Sequence, residues 1–385
     1  MRHEEATKKK ERQRNFYDYS LLFIIIFLLC FGLVMLYSTS SYVAKLEYGD
    51  SAFYLKKQAF ATILGAVVMI VISVIDYHFW EKFAWIAYFA SIVLILAVKI
   101  PGLGRTSRGA TRWLMIGKLS FQPSEFAKVA VILLLAHLVK NNTKRMNKIW
   151  TMSKMLLLVI PVSFILVAVT SNLSTAIIVL GIALLMLFVA SPSYGIFIFG
   201  GALITGTVYF VVTKIDWLVE AVGGYRLDRI LVWLNPEAYP LDGGFQVLQG
   251  LYAIGSGGLF GRGLGNSIQK LSFLPEPQND MIFAIICEEL GLFGAVCVIL
   301  LFLFMLWRFM IIANNAPDLF GSLIVVGVMG HIAIQVILNI AVVTNTIPNT
   351  GITLPFISYG GTSILFLLAE MGLVLGVSKR IKLER

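Results

Sequence analysis

Carboxylates set against an apolar stretch are the residues of this chain best suited to chemistry. Asp280 ends a polar segment, where Pro275-Glu276-Pro277-Gln278-Asn279-Asp280 runs into Met281-Ile282-Phe283-Ala284-Ile285-Ile286. Held within hydrogen-bond reach of a hydroxyl, such a carboxylate acts as a general base. The same position suits a helix cap, because Asp accepts from free amides and its charge complements the helix dipole. The two roles are compatible. Glu288 and Glu289 follow two turns further on. At roughly 100° per residue, Glu288 falls about 80° round the helix from Asp280, and Glu289 falls on the opposite face. Glu288 is therefore expected to share a cavity with Asp280.

Cations accompany these acids. In Phe121-Gln122-Pro123-Ser124-Glu125-Phe126-Ala127-Lys128, Glu125 and Lys128 are spaced to pair along one helix. Lys128 is also the natural partner for Glu288 and Glu289, since intramembrane acids are costly unless paired. Two readings stand side by side here, a structural ion network and residues that touch a substrate. Gly109-Ala110-Thr111-Arg112-Trp113-Leu114 sets a cation beside an aromatic. Trp113 alone reads as an interfacial anchor. Arg112, with Arg105 and Arg108, suits a phosphate, which guanidinium groups bind bidentately.

Two further stretches carry unusual backbone. Gly255-Ser256-Gly257-Gly258-Leu259-Phe260-Gly261-Arg262-Gly263-Leu264-Gly265 packs six glycines into eleven residues. Successive amides there can cradle an anion; a tight re-entry of the chain into a bundle would use the same freedom. A dinucleotide fingerprint is excluded, because no strand precedes the run. From Asn345 to Ser363, Pro348, Pro355 and the pair Gly360-Gly361 interrupt an apolar region. Irregular backbone at membrane depth is tolerated only when buried in protein or lining a watery cavity. A cavity beside Ser358 and Tyr359 is expected. His331 and Asn172 read as satisfied bundle residues.

The elements that must position these groups follow from composition. Of 385 residues, 58% are hydrophobic and 14% are charged, against about 25% charged in soluble domains. Apolar runs long enough to cross a core of about 30 Å recur throughout. The expected fold is an all-α polytopic membrane protein of ten spans: 19–40, 58–75, 80–99, 121–139, 154–171, 173–190, 193–213, 281–307, 319–344 and 351–377. Cys30, Cys287 and Cys297 lie in apolar runs without metal spacing and read as small buried hydrophobes. The net charge of +10 is scattered over loops and fits orientation and anionic headgroups rather than nucleic acid.

Basic residues set the orientation. A tail at 1–18 (Arg2, Lys8, Lys9, Lys10, Arg12, Arg14), a tail at 378–385 (Lys379, Arg380, Lys382, Arg385) and Lys144, Arg145 and Lys148 place both termini in the cytoplasm. The first apolar run reads as an uncleaved helix rather than a signal peptide. The membrane domain spans 19–377. Its outward loops are 100–120, with Arg105, Arg108, Arg112 and Lys118, and 214–280, between the seventh and eighth helices. The second is long for a bundle connection and holds Trp217, Tyr225, Trp233 and Tyr239. Interfacial helices on the outer face are expected there.

The motifs carry a resemblance. Arg112-Trp113-Leu114, the segment 121–128, Ala253-Ile254-Gly255-Ser256-Gly257-Gly258-Leu259-Phe260-Gly261, Leu274-Pro275-Glu276 through Glu289-Leu290-Gly291, and Leu354-Pro355-Phe356-Ile357-Ser358-Tyr359-Gly360-Gly361 resemble the SEDS family of cell-shape, division and sporulation proteins, in order and over nearly the whole chain. The last two motifs, with Tyr17-Asp18-Tyr19-Ser20 and Tyr37-Ser38-Thr39-Ser40, look closer to the FtsW and SpoVE branches than to RodA. One departure is Ser171-Asn172-Leu173-Ser174-Thr175-Ala176, where the family commonly reads Pro-Asp-Leu-Gly-Thr-Ala; Asn172 keeps hydrogen bonding and loses the charge.

The resemblance implies a peptidoglycan glycosyltransferase that polymerises lipid II at the outer face of the cytoplasmic membrane, at the division septum. It implies a class B penicillin-binding transpeptidase and other divisome proteins as partners. Asp280 matches the family's proposed catalytic aspartate. Substrate contacts are expected from Arg112, Trp113, Glu125, Lys128, Gln249, Ser256, Glu288, Ser358 and Tyr359, and a divalent cation, Mg or Mn, is the one candidate cofactor. The rival readings are a lipid II flippase, which broken helices and intramembrane charges also suit, and a non-catalytic divisome scaffold.

Overall fold

The computed structural model describes residues 17–107, 110–117, 119–192, 194–215, 219 and 225–382. The basic tail 1–16, Arg108, Gly109, Lys118, Trp217 and Arg385, all invoked above, lie outside the described residues. In lipid every backbone polar group must be bonded within the protein, and an apolar chain meets that demand with helices. In chain order these are α1 (Tyr19–Tyr48), α2 (Phe53–Val74), α3 (Tyr77–Glu81), α4 (Ala84–Ala97), α5 (Pro123–Asn141), α6 (Ile149–Thr170), α7 (Leu173–Ala190), α8 (Gly195–Thr213), α9 (Tyr225–Leu234), α10 (Phe245–Ser256), α11 (Ile282–Asn314), α12 (Leu319–Val343) and α13 (Gly361–Ser378). Among the described residues, eight are long and apolar enough to cross a membrane: α1, α2, α6, α7, α8, α11, α12 and α13. Helix α4 is apolar but shorter, and α5 carries the buried charges Glu125 and Lys128.

The bundle is all-helical, as expected, and the loop at 100–120 adds a small antiparallel sheet, β1 (Gly104–Ser107), β2 (Ala110–Ile116) and β3 (Leu119–Phe121) in that order; three other expectations need correction. Thr111 and Trp113 suit a pleated surface, and Arg105 sits opposite Trp113 in the register. The span expected at 80–99 is broken near Phe83 into α3 and α4. The last helix begins at Gly361 rather than 351, so the Pro- and Gly-containing stretch before it is non-helical. Cys30 is also exposed rather than buried. The long segment 214–280 does contain helices, α9 and α10.

Helices α12 and α13 are largely buried. Helix α12 packs against α5, α7 and α11, and α13 against α2. Close approach is allowed by Gly327, where a Cβ would lie 2.7 Å from the Ile132 side chain. Helix α8 has no buried residue.

One break in the bundle explains the glycine run. Gly291, at φ 68° and ψ −169°, splits α11 and frees backbone groups on both sides. The run at 257–263 takes them up. Arg262 N donates to Glu288 O at 2.9 Å and Gly263 N to Glu289 O at 3.0 Å. In return Leu292 N donates to Gly258 O at 2.9 Å and Phe293 N to Leu259 O at 3.0 Å. A Cβ at Gly257 would lie 1.9 Å from Cys287 O, and one at Gly261 2.2 Å from Glu289 O. The glycines therefore serve backbone pairing and re-entry into the bundle; the amides of Arg262 and Gly263, offered above to an anion, are spent on α11. Gly261→Ala adds a backbone clash to a positive φ of 75° and is expected to cost about 3 kcal/mol. Gly265→Ala, at positive φ in open space, should cost about 1 kcal/mol. Thermal melting of the detergent-solubilised protein checks the difference.

At the end of the bundle remote from the Asp280 segment, Asp318 caps α12 by accepting from Gly321 N at 3.0 Å. It also accepts a short bond from the Tyr77 hydroxyl and faces His78 Nε2 at 3.2 Å. Burial pushes its carboxyl up, but the Tyr77 bond, the Gly321 amide and His78 outweigh that and hold it below the ordinary carboxylate range. Stability from such a group is full above its unfolded pKa, near about 4, and is lost as pH falls through the lowered folded value. The melting temperature should hold down to about pH 5 and drop below about pH 4, with a shallower drop in Asp318→Asn.

Candidate functional site

Asp280 sits in a turn one residue before Met281, the N-cap of α11, and the Met281 side chain makes no capping bond. The expected cap role is therefore not the one observed: the chain turns tightly through 277–281 and enters the helix beyond Asp280. Asp280 is 8% exposed. Its carbonyl accepts from Asn339 Nδ2 at 2.8 Å, and the same nitrogen donates to Ile352 O at 2.7 Å. The carboxylate faces Gly351, where an added Cβ would lie 3.9 Å from Oδ2. Gly351 has a positive φ of 67°, so the bare backbone allows both the turn and the approach.

Ser358 and Tyr359, expected as substrate contacts, clasp this segment. Ser358 Oγ donates to Asn279 O at 2.7 Å and accepts from Leu354 N at 2.8 Å. Tyr359 N donates to Gln278 O at 2.9 Å, and its ring meets the Tyr54 ring edge-on at 5.0 Å. Gln58 of α2 closes the clasp, with Oε1 accepting from Gly360 N at 3.1 Å.

Arg112 reaches the same end by another route. Its Nε donates to Thr170 O at 3.2 Å and its Nη2 to Ser171 O at 3.0 Å, a cation on the carbonyls that end α6, where the dipole favours positive charge. Asn172 then caps α7, accepting from Thr175 N at 3.1 Å. Two residues on, Ser174 Oγ donates to Thr350 O at 2.5 Å. Contacts thus lead from Arg112 through the α6–α7 corner to Thr350, Gly351 and the Asp280 carboxylate. Trp113 is half-buried beside Arg112, and Arg105 is exposed.

The other acids do not join Asp280. Glu288 faces a different cavity of about 440 Å³, lined by Leu251, Tyr252, Gly255, Ser256, Arg262, Ile268, Gln269 and Glu288. Its carboxylate accepts from Ser267 Oγ at 2.5 Å and Ile268 N at 3.0 Å, with Arg262 Nη1 at 3.7 Å. Glu289 accepts from Lys270 Nζ at 2.7 Å and from Ser38 Oγ at 2.8 Å. The cation for Glu289 is therefore Lys270, not Lys128. The long segment before α11 folds back over that helix and supplies partners next to it, which spacing along the chain could not reveal. Gln249 is half-buried on α10, and Ser256 Oγ donates to Ala253 O within that helix at 3.1 Å.

Lys128 instead lies 3.0 Å from Glu125 Oε2 and reaches Gln335 Oε1 on α12 at 3.4 Å. Gln335, Asn339 and Lys270 were missed by sequence reasoning. The signal for the first two was legible: His331, Gln335 and Asn339 recur every fourth residue on one face of an apolar helix. Among the described residues no three His, Cys, Asp or Glu side chains converge on a metal geometry. Among the described residues the donor set around Asp280 does not make a cation cage.

Residues 19–383 match the family model of the cell cycle proteins FtsW, RodA and SpoVE. The chain belongs to this family. It is 40% identical to stage V sporulation protein E of Bacillus subtilis over 363 residues, covering 94% of this chain and 97% of that protein. It is 36% identical to a probable peptidoglycan glycosyltransferase FtsW of Geobacter sp. over 368 residues, covering 95% and 98%. Among solved structures, a chain of a peptidoglycan synthase complex that coordinates polymerization and crosslinking is similar, with a TM-score of 0.76, 28% identity and coverage of 94% and 97%. The Thermus thermophilus rod shape determining protein RodA matches with a TM-score of 0.68, 26% identity and coverage of 95% and 97%. The FtsW/RodA/SpoVE fold thus places Asp280 and Arg112 at one end of the bundle and the paired acids within it.

Lys270 and Glu289 are 5% and 0% exposed, so breaking the pair strands a buried charge. Glu289→Leu is expected to cost about 3–5 kcal/mol, and the double variant with Lys270→Met to recover most of it. Melting curves of the three proteins test this. Equal losses in the single and double variants would refute the pairing.

Proposed function

We propose that this chain is a peptidoglycan glycosyltransferase that polymerises lipid II at the outer face of the cytoplasmic membrane, serving septal wall synthesis. In this reading the eight long helices with α4 and α5 make ten spans, both termini are cytoplasmic, and the Asp280 end faces outward. The partner is a class B penicillin-binding transpeptidase among other divisome proteins. Relatives that carry the glycosyltransferase name along nearly their full length support the reaction class.

The observation that carries the site is Asp280 itself. It is a carboxylate at 8% exposure, on a segment clasped by Asn339, Ser358 and Tyr359, at the mouth of a membrane helix. The acceptor GlcNAc 4-hydroxyl attacks the anomeric carbon of the lipid-linked MurNAc. The bond from that carbon to the diphosphate oxygen breaks, and its electron pair leaves with the diphosphate. Asp280 takes the hydroxyl proton. Attack opposite the leaving group turns the α-linked donor into a β-linked product. Arg112 and the exposed Arg105 favour the growing negative charge on the diphosphate, which is usually a large part of catalysis. Ser358 and Tyr359 act in this reading by holding the Asp280 segment, while Glu125 and Lys128 support the bundle behind it.

Asp280→Asn removes the base and keeps the shape. With purified protein, its transpeptidase partner and lipid II, polymerisation is expected to fall at least about 100-fold. A near wild-type rate would overturn the assignment. Stereospecific lipid II translocation without polymer would favour the flippase reading instead.

A further inference from the structure

Behind the Asp280 segment lies a buried polar column that the proposed reaction does not use. His331, Gln335 and Asn339 occupy one face of α12 at four-residue intervals and are 1%, 3% and 0% exposed. Asn339 uses its amide nitrogen to hold two carbonyls, those of Asp280 and Ile352. Gln335 Nε2 donates to Thr353 O at 3.0 Å. One turn of α12 thus grips both sides of the Asp280–Gly351 contact.

The orientation of Gln335 is itself determined. A carbonyl oxygen only accepts, so the amide nitrogen must face Thr353. Its Oε1 then faces Lys128 Nζ at 3.4 Å and His331 Nε2 at 2.8 Å. Because Oε1 is an acceptor, His331 Nε2 must carry a proton and donate it. The other ring nitrogen, Nδ1, lies 2.7 Å from Glu370 Oε2 on α13. A bare Nδ1 facing a bare carboxylate would set two lone pairs together. The His331–Glu370 pair therefore holds one further proton, on Nδ1 or on Oε2. Lys128 in turn is paired to Glu125, so the titratable groups of this column are Glu125, Lys128, His331 and Glu370.

We propose that Asn339 and Gln335 are positioning residues for Asp280, and that the proton held between His331 and Glu370 keeps Gln335 turned toward Thr353. The inference rests on Asp280 as the base. Its structural half is independent of that reading, because the grip on the 276–282 and 351–354 backbone exists whatever Asp280 does. The column acts through Asp280 and touches no substrate.

The test combines a structural and a kinetic readout on the full chain with its transpeptidase partner. In Asn339→Ala, hydrogen exchange of the 276–282 amides should quicken at least about tenfold, while exchange elsewhere in α11 holds. Its kcat for lipid II polymerisation should fall at least about tenfold, with KM within about twofold. Glu370→Gln can turn its amide nitrogen to donate to a bare Nδ1, and neutral His331 then keeps its Nε2 proton. That variant should stay within about threefold of wild type, while Glu370→Leu falls about tenfold or more. Unchanged exchange and kcat in Asn339→Ala would overturn the positioning role. Glu370→Gln as impaired as Glu370→Leu, with both folded, would overturn the proton argument. If Asp280→Asn remained active while the Asn339→Ala exchange still quickened, the base reading alone would fail.

Discussion

The structure depends on one constraint: backbone that leaves the helix inside a membrane protein must find its hydrogen bonds within the protein. Among the described residues, breaks in the helical bundle recruit two kinds of solution. At Gly291 the partner is another backbone, the glycine run at 257–263, whose lack of side chains lets carbonyls and amides meet. At 274–281 and 344–360 the partners include the side chains Gln58, Gln335, Asn339 and Ser358. Amides that donate to carbonyls from a rigid helix fix those segments in place. An irregular stretch that would otherwise be costly becomes a preorganised one.

The same constraint sorts the charges. Ions in low dielectric are tolerated when paired and hydrogen-bonded. Asp18 pairs with Arg308 at 2.8 Å, Glu289 with Lys270 at 2.7 Å, Glu125 with Lys128 at 3.0 Å and Glu370 with His331 at 2.7 Å. Asp18–Arg308 and His331–Glu370 join different helices and the segments beside them, and Lys270–Glu289 ties the segment before α11 to that helix, so the pairs also act as registration points. Polar residues in this bundle are mostly structural, which is why a carboxylate in an apolar helix, taken alone, is weak evidence for chemistry.

Much of this was legible in the sequence. Hydrophobic runs locate most of the helices, because length and apolarity are the physical requirement itself. Pro348, Pro355 and Gly360 announce irregular backbone ahead of the last helix. The family motifs single out Asp280, Ser358 and Tyr359. Partner choice was not legible. Helical periodicity places Glu288 near Asp280, but it says nothing of Ser267, Ile268 and Lys270, which arrive by a fold-back of the preceding segment. The sheet at 104–121 was hidden for a related reason: a short alternating pattern in a charged loop resembles ordinary outer-loop composition. His331, Gln335 and Asn339 were visible as a stripe, but their targets are main-chain carbonyls, which no sequence spells out.

Anchoring through main-chain atoms has a consequence for Asp280. On the proposed reading its carboxylate gains and loses a proton at every turnover. Asn339 grips the carbonyl of Asp280, and the neighbouring carbonyls of Gln278 and Asn279 are taken by Tyr359 and Ser358. None of these bonds depends on the charge of the side chain. These main-chain bonds therefore persist across the catalytic cycle on that reading, while the side chain changes its charge. Support of this kind is what a base on an irregular turn requires.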